Sequence, residues 1–364
     1  MNDRTRWILL GCTVLAIVAA IVRFEGLKGP AAVSGPRTVL HTSAAPSRQT
    51  TVAAKTGKYP MAQELQQPSG FVNTPPFKIS DLIGKKVILV DFWTYSCINC
   101  QRTIPYLNAW YQKYKDQGLE IIGVHTPEFQ FEHDIANVQA AVKKFGIQYP
   151  VVLDNDYATW NAYQNLYWPR EYLIDIDGFI VHDHIGEGEY DQTEKAIQAA
   201  LLERSSMLHE AMPVPTSITQ PTDTISFDSS QVGSPETYFG AERNMYLANG
   251  TPQATGERTF AIPTDIQPNA LYLGGRWNIQ KEFAQSTAPG ATITYRYHAK
   301  NMYFVAGAAS NVTVHVTLDG QPAGTISVKD TQLYPLVQGS TAGDHTVELK
   351  IDQPGLQAFT FTFG

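Results

Sequence analysis

Cysteine is scarce in this chain: three residues in 364. So few cannot staple a fold with disulfides, so a closely spaced pair is there for chemistry. Basic runs are also missing. Lysine and arginine number 27 against 34 acidic residues, a net charge of −7. No basic stripe interleaved with aromatics occurs, which argues against nucleic acid as a partner. Internal repeats are absent as well. What is present is ordinary globular stock, 43% hydrophobic, with length for two domains.

Only one apolar run nears membrane length. It extends from Trp7 to Val22, with Arg4 and Arg6 before it and Arg23 after it. As a helix it would rise about 24 Å, slightly short of a ~30 Å hydrocarbon core that flanking arginines can snorkel across. Residues 1–28 are therefore expected to be a single N-terminal membrane helix. Two rivals are a cleaved signal, with Ala32-Val-Ser34 as a distant cleavage-like site, and lipidation at Cys12 in Leu9-Leu-Gly-Cys12. All three place the rest of the chain outside the cytoplasm, where disulfide exchange matters.

Residues 29–60, rich in Ala, Ser, Thr, Pro and Gly, read as a flexible linker. Residues 61–206 alternate apolar β runs with helical stretches. Strands are expected over 87–92, 118–125 and 151–153, and helices over 97–117, 135–145, 155–165 and 192–203. A hairpin of 171–176 with 179–184 turns at Asp177-Gly178. That order implies a mixed central sheet with helices on both faces. A Pro-rich link covers 207–218. From 219 to 364 helical periodicity vanishes and short alternating runs recur, which predicts an all-β jelly roll or β-sandwich.

The chemistry concentrates in Val87-Ile-Leu-Val-Asp91-Phe-Trp-Thr-Tyr-Ser-Cys97-Ile-Asn-Cys100. A buried strand runs into a C-x-x-C pair whose second half opens a helix. The N-terminal end of a helix favours a thiolate over a thiol, so Cys97 is the expected nucleophile. Such a pair can cycle between dithiol and disulfide. Zinc would need four ligands, and no second C-x-x-C or C-x-x-H follows. The nine histidines are scattered; His182 and His184, two apart on a strand, read as a solvated face. No metal and no cofactor beyond the Cys97–Cys100 couple is expected. Asp91, alone in an apolar strand, reads as a buried carboxylate that exchanges a proton with the second thiol. Pro105 falls inside the following helix, where a kink is expected. Pro169 precedes a strand directly after Trp168.

These residues resemble the thioredoxin superfamily, and within it the extracytoplasmic TlpA/ResA-like branch, from about Phe77 to Glu203. Phe77-Lys-Ile-Ser-Asp-Leu-Ile-Gly-Lys85 is similar to the segment that opens that branch's domain. The resemblance implies that Asp91 is the buried acid, Cys97 the attacking cysteine and Cys100 the resolving one. It makes Pro169 the cis-proline that accepts backbone hydrogen bonds from substrate. It places Trp93, Ile98, Asn99 and Trp168 along a substrate groove. Ile98-Asn99 replaces the Gly-Pro of ordinary thioredoxins, and Thr103 stands where cytochrome-maturation members carry an acid. Ser234-Pro-Glu-Thr-Tyr-Phe-Gly240 and the ending Phe359-Thr-Phe-Thr-Phe-Gly364 resemble the C-terminal half of DipZ-type proteins. Those join a CcdA-like membrane electron donor to a thioredoxin-like domain and a carbohydrate-module-like jelly roll. A separate CcdA-type donor in a bacterial envelope is then the expected partner, together with protein thiol and disulfide substrates.

The β region is rich in aromatics, and aromatic faces stack on sugar rings. Trp277, beside Arg276 after Gly274-Gly275, is the candidate platform for an envelope glycan. The reading is binding or scaffolding, since no glycosidase-like carboxylate pair is evident. The leading function is thiol–disulfide exchange, favoured in the reducing direction. One alternative is a thiol peroxidase, because Thr94-x-x-Cys97 matches peroxiredoxin spacing, although Val90 stands where those carry proline. Another is a glycan-binding surface protein with a redox domain.

Overall fold

The computed structural model describes residues 48–364 except 212, 223, 226 and 227. The expected membrane helix and Cys12 lie outside the described residues. Among those residues no helix is long and apolar enough to cross a membrane.

The first sheet follows from the pattern of the sequence. Apolar runs on both faces of β2 (Val87–Trp93) and β3 (Leu119–His125) mark strands buried from two sides. They pair in parallel, and β3 pairs in parallel with β4 (Val151–Leu153). Short β1 (Gly70–Val72) closes one edge against β4. On the other side β5 (Arg170–Ile174) runs antiparallel to β2, and β6 (Ile180–Ile185) antiparallel to β5. The β5–β6 turn uses Gly178 at φ +95°, a conformation that disfavours other residues. The order is β1-β4-β3-β2-β5-β6, the mixed sheet expected.

Helices α2 (Ile98–Tyr114), α3 (Ile135–Lys144) and α5 (Tyr190–Leu208) cover one face. Their Ile104, Leu107, Trp110, Val138, Ile197 and Leu201 pack on Val87, Leu89 and Trp93. Short α4 (Ala158–Ala162) lies on the other face, where Trp160 joins Ile88, Val90 and Phe92. Pro105 sits inside an uninterrupted α2.

Two stretches expected to be linkers are partly ordered on this domain. Residues 48–55 form helix α1 (Arg48–Lys55), which buries nothing but is held by charge. Lys55 Nζ lies 2.5 Å from both Asp175 and Glu203, and Arg48 reaches Asp177 at 2.9 Å. The ammonium thus occupies the one acidic cluster among the described residues that could hold a cation. At the second link, α5 runs on to Leu208, and Glu194 then receives the Thr219 hydroxyl and N–H, each at 2.6 Å.

The rest of the described residues are mainly β, in nine strands. They are β7 (Thr237–Tyr238), β8 (Gly256–Phe260), β9 (Leu271–Ile279), β10 (Ala284–Ser286), β11 (Ala291–Gly307), β12 (Val312–Leu318), β13 (Gln321–Val328), β14 (Gln332–Ile351) and β15 (Gln357–Phe363). The expected sandwich is realised as one hydrogen-bonded sheet folded over its own core. β11 keeps β14 along one edge. On its other edge it pairs first with β9 and then with β15. The change falls at irregularities near Ala299–Tyr303, where bulges bend a strand. Because β10 joins β9 to β15, four strands close into a ring. Leu271, Ile293, Tyr295, Phe304, Leu349 and Phe361 fill it.

The two sheets pack together through a small apolar cluster. Ile98 and Phe129 from the first meet Tyr303, Val305, Leu333 and Phe359 from the second. Around it, Glu128 accepts from the Tyr238 hydroxyl at 2.8 Å and the Arg243 guanidinium at 2.7 Å. Lys144 reaches Gln332 at 2.8 Å.

Candidate active site

Strand β2 ends at Trp93, and the turn 94–96 delivers Cys97 as the N-cap of α2. Its sulfur accepts the N–H of Cys100 at 3.5 Å, as a cap side chain does. Cys97 is partly exposed, Cys100 is buried, and both are free thiols. One thiol can therefore meet another protein while the other cannot. Burial raises the Cys100 thiol well above its ordinary range, helped by its hydrogen bond with Cys97 and by the Cys97 and Asp91 charges.

Asp91 is 1% exposed. Its Oδ1 has no hydrogen-bond partner among the described residues, an unusual state for a buried carboxylate. Burial lifts its proton affinity well above the carboxylate range, and Glu171 across the strand pair lifts it further. A carboxylate of raised proton affinity beside a thiol that must lose its proton can act as the base that resolution of a mixed disulfide requires. The Trp168–Pro169 bond is cis. Trp168 and Cys97 pack on the same core cluster.

The groove residues divide. Trp168 stays partly exposed, its indole donating to the Thr126 carbonyl at 3.1 Å. Asn99 is also partly exposed, but its Oδ1 is engaged by Arg102 at 2.9 Å. Trp93 and Ile98 are not groove residues. Trp93 is fully buried, edge-on to His125 and close against Gly123, where a Cβ would stand 2.9 Å from its Nε1. Ile98 is 2% exposed because the β sheet's Tyr303 and Phe359 cluster covers it. Trp277 is likewise no platform: it is 0% exposed, with its indole N–H bonded to the Gly274 carbonyl at 2.9 Å.

Three features were missed from sequence. Glu171, two residues past the cis-proline, is buried opposite Asp91. Glu132 is buried beneath the cysteine turn and held up to about 7 by burial against several donors. Leu166 and Tyr167 project from the loop before Pro169, 72% and 47% exposed. Period-two alternation could have flagged Glu171, since it shares a face with Leu173. The Thr94 hydroxyl lies 3.4 Å from His125 Nε2.

A partly exposed thiol at a helix N-cap, a buried partner thiol, a buried acid and a cis-proline define a thioredoxin-like dithiol site. The sequence agrees. Residues 61–183 match the AhpC/TSA family and residues 234–364 the thioredoxin like C-terminal domain. Thiol-disulfide oxidoreductase YkuV of Bacillus subtilis is 32% identical over 122 residues, covering 34% of this chain and 82% of YkuV. Thiol-disulfide oxidoreductase ResA of Bacillus thuringiensis is 36% identical over 129 residues, covering 33% and 72%. The chain belongs to this TlpA/ResA-like family of thiol–disulfide oxidoreductases. Over 307 residues, 83% of the chain, it is also 40% identical to protein DipZ of Mycobacterium bovis. It spans 43% of that protein's length.

Proposed function

We propose that this chain is an extracytoplasmic thiol–disulfide oxidoreductase that reduces disulfides in other proteins. The observation that carries the reading is the unequal exposure of the two thiols above a buried Asp91 whose Oδ1 has no hydrogen-bond partner among the described residues. Cys97 attacks a substrate disulfide; one substrate sulfur leaves as thiolate and the other stays bonded to Cys97. Cys100 then gives its proton to Asp91 and attacks Cys97 Sγ. The Cys97–Cys100 bond forms and the second substrate thiolate departs. Electrons that reset the pair come, in this proposal, from a CcdA-type membrane donor, and residues 1–28 hold the chain at the bacterial cytoplasmic membrane. The likeness to DipZ, ResA and YkuV supports this setting. The β domain, packed on the redox domain and without an exposed Trp277, acts as a scaffold.

The test is the reduction potential of the purified chain in glutathione or dithiothreitol buffers. A value near about −270 mV or lower fits a reductase needing a membrane donor. A value near about −120 mV makes it a disulfide-forming oxidant and reverses the proposed direction.

A further inference from the structure

Asp91 faces Glu171 directly across the antiparallel β2–β5 pair, and Glu171 in turn faces His184 across β5–β6. Direct partners point to the same face, about 5 Å apart at Cβ. This face is the one covered by α2 and α5. Asp91, Glu171 and His184 therefore form a row running from beneath Cys100 toward the edge of the sheet. Glu171 is 2% exposed, and Thr193 in the first turn of α5 sits close enough to its carboxyl to stabilise the ionised form. The Thr193 hydroxyl lies 3.2 Å from His182 Nε2 on the edge strand. His182 is partly exposed. Proton-carrying groups thus stand side by side from the interior to the partly exposed His182.

We propose that Glu171 is a positioning residue for the resolving step, taking from Asp91 the proton that Cys100 releases and passing it through Thr193 to His182. The proposal rests on the exchange reading above. No new bond or electron is involved; one proton moves from Cys100 Sγ to Asp91, on to Glu171, and out. A proton left on Asp91 would block the next turnover, and the Asp91 side chain is almost wholly buried. The other titratable groups facing the pair are Cys100 from α2, Tyr149 ahead of β4, Tyr190 of α5, and His182 and His184 of β6. None is a cation by nature, so nothing holds both carboxylates ionised together; two such groups share a proton. Glu171 is raised to about 7, which suits a relay near neutral pH.

The experiment separates the two chemical steps in the full chain. Glu171→Gln keeps the shape and the Thr193 contact but cannot carry the proton. Stopped-flow release of the second substrate thiolate should slow about tenfold near neutral pH, the change one unit of proton affinity brings. Its pH profile should shift, while iodoacetamide alkylation of Cys97 keeps its rate. Thr193→Val should slow the same step. His182→Ala should slow it too and recover with added imidazole. Wild-type release and an unshifted profile in Glu171→Gln would overturn the proposal. An effect of His184→Ala in place of His182→Ala, or none from Thr193→Val, would overturn the route. If Glu171→Gln does not fold by circular dichroism, the Thr193 and His182 variants decide alone. A wild-type chain that forms no mixed disulfide would instead defeat the exchange reading, a distinguishable result.

Discussion

The Ser96 hydroxyl donates to Glu132 Oε1 at 2.6 Å, and the Ser96 backbone N–H reaches the same oxygen at 3.2 Å. Oε2 takes the N–H groups of Glu128 at 2.6 Å and Phe129 at 3.0 Å. One buried carboxylate therefore ties the turn before Cys97 to the loop that carries Phe129 to the β domain. Glu132→Ala should leave buried donors unmet and lower stability by about 3 kcal/mol. Glu132→Gln, which retains an acceptor, should lose less. Urea unfolding reads both, and equal midpoints for wild type and Ala would show that the latch carries no stability.

The two thiols should fail differently. Cys97→Ser should abolish exchange outright, because the exposed nucleophile is gone. Cys100→Ser should instead stop at the mixed disulfide and accumulate a covalent adduct on Cys97, visible by mass spectrometry under non-reducing conditions. An adduct on Cys100 in Cys97→Ser would reverse the assigned roles.

Stability should fall as pH rises through the weakly acidic range. Glu171 has an ordinary value of 4.5 and is raised to about 7 in the fold by burial. The folded state therefore binds a proton that the unfolded state releases between those values. The stabilisation is fully present below about 4.5 and is lost as pH climbs toward about 7. Asp91 shifts in the same direction. Glu171→Gln should flatten this slope in denaturant midpoints measured across that interval. A slope unchanged in the variant would remove Glu171 as its source.

Much of the site could be read from the chain because its signals are local. The strand 87–92, the C-x-x-C pair and Pro169 each occupy a contiguous stretch whose residue types leave few alternatives. Burial of Asp91 followed from its apolar neighbours in sequence. Ile98 and Trp277 were misplaced for a different reason: what covers them arrives from far along the chain. Ile98 is sealed by Tyr303 and Phe359, more than two hundred residues away. Trp277 turns inward because the sheet folds over its own core, a consequence of β11 changing partners. Glu171 was missed because its meaning lies in strand pairing with Asp91, and pairing partners are not written in either segment. Helix α1 was hidden because it buries no apolar residue; only distant acids hold it.

The cover on Ile98 makes the two domains energetically dependent. Phe359 stacks edge-on to Phe129 at 5.3 Å and to Phe131 at 4.9 Å, with Phe283 at 5.1 Å on its own side. Truncation to Ala opens a cavity in this cluster and should remove about 3–5 kcal/mol. Because the lost contacts cross between the sheets, the loss should appear in both. Hydrogen exchange in wild type should release the innermost amides of β2 and β11 with the same free energy, as for one cooperative unit. In Phe359→Ala both should open more readily, and Ile98 should become accessible to solvent. Faster exchange in β11 with β2 untouched would mean that the redox domain stands alone and that its cover is passive. Equal weakening would mean that the β domain contributes to the stability of the helix that bears the two cysteines.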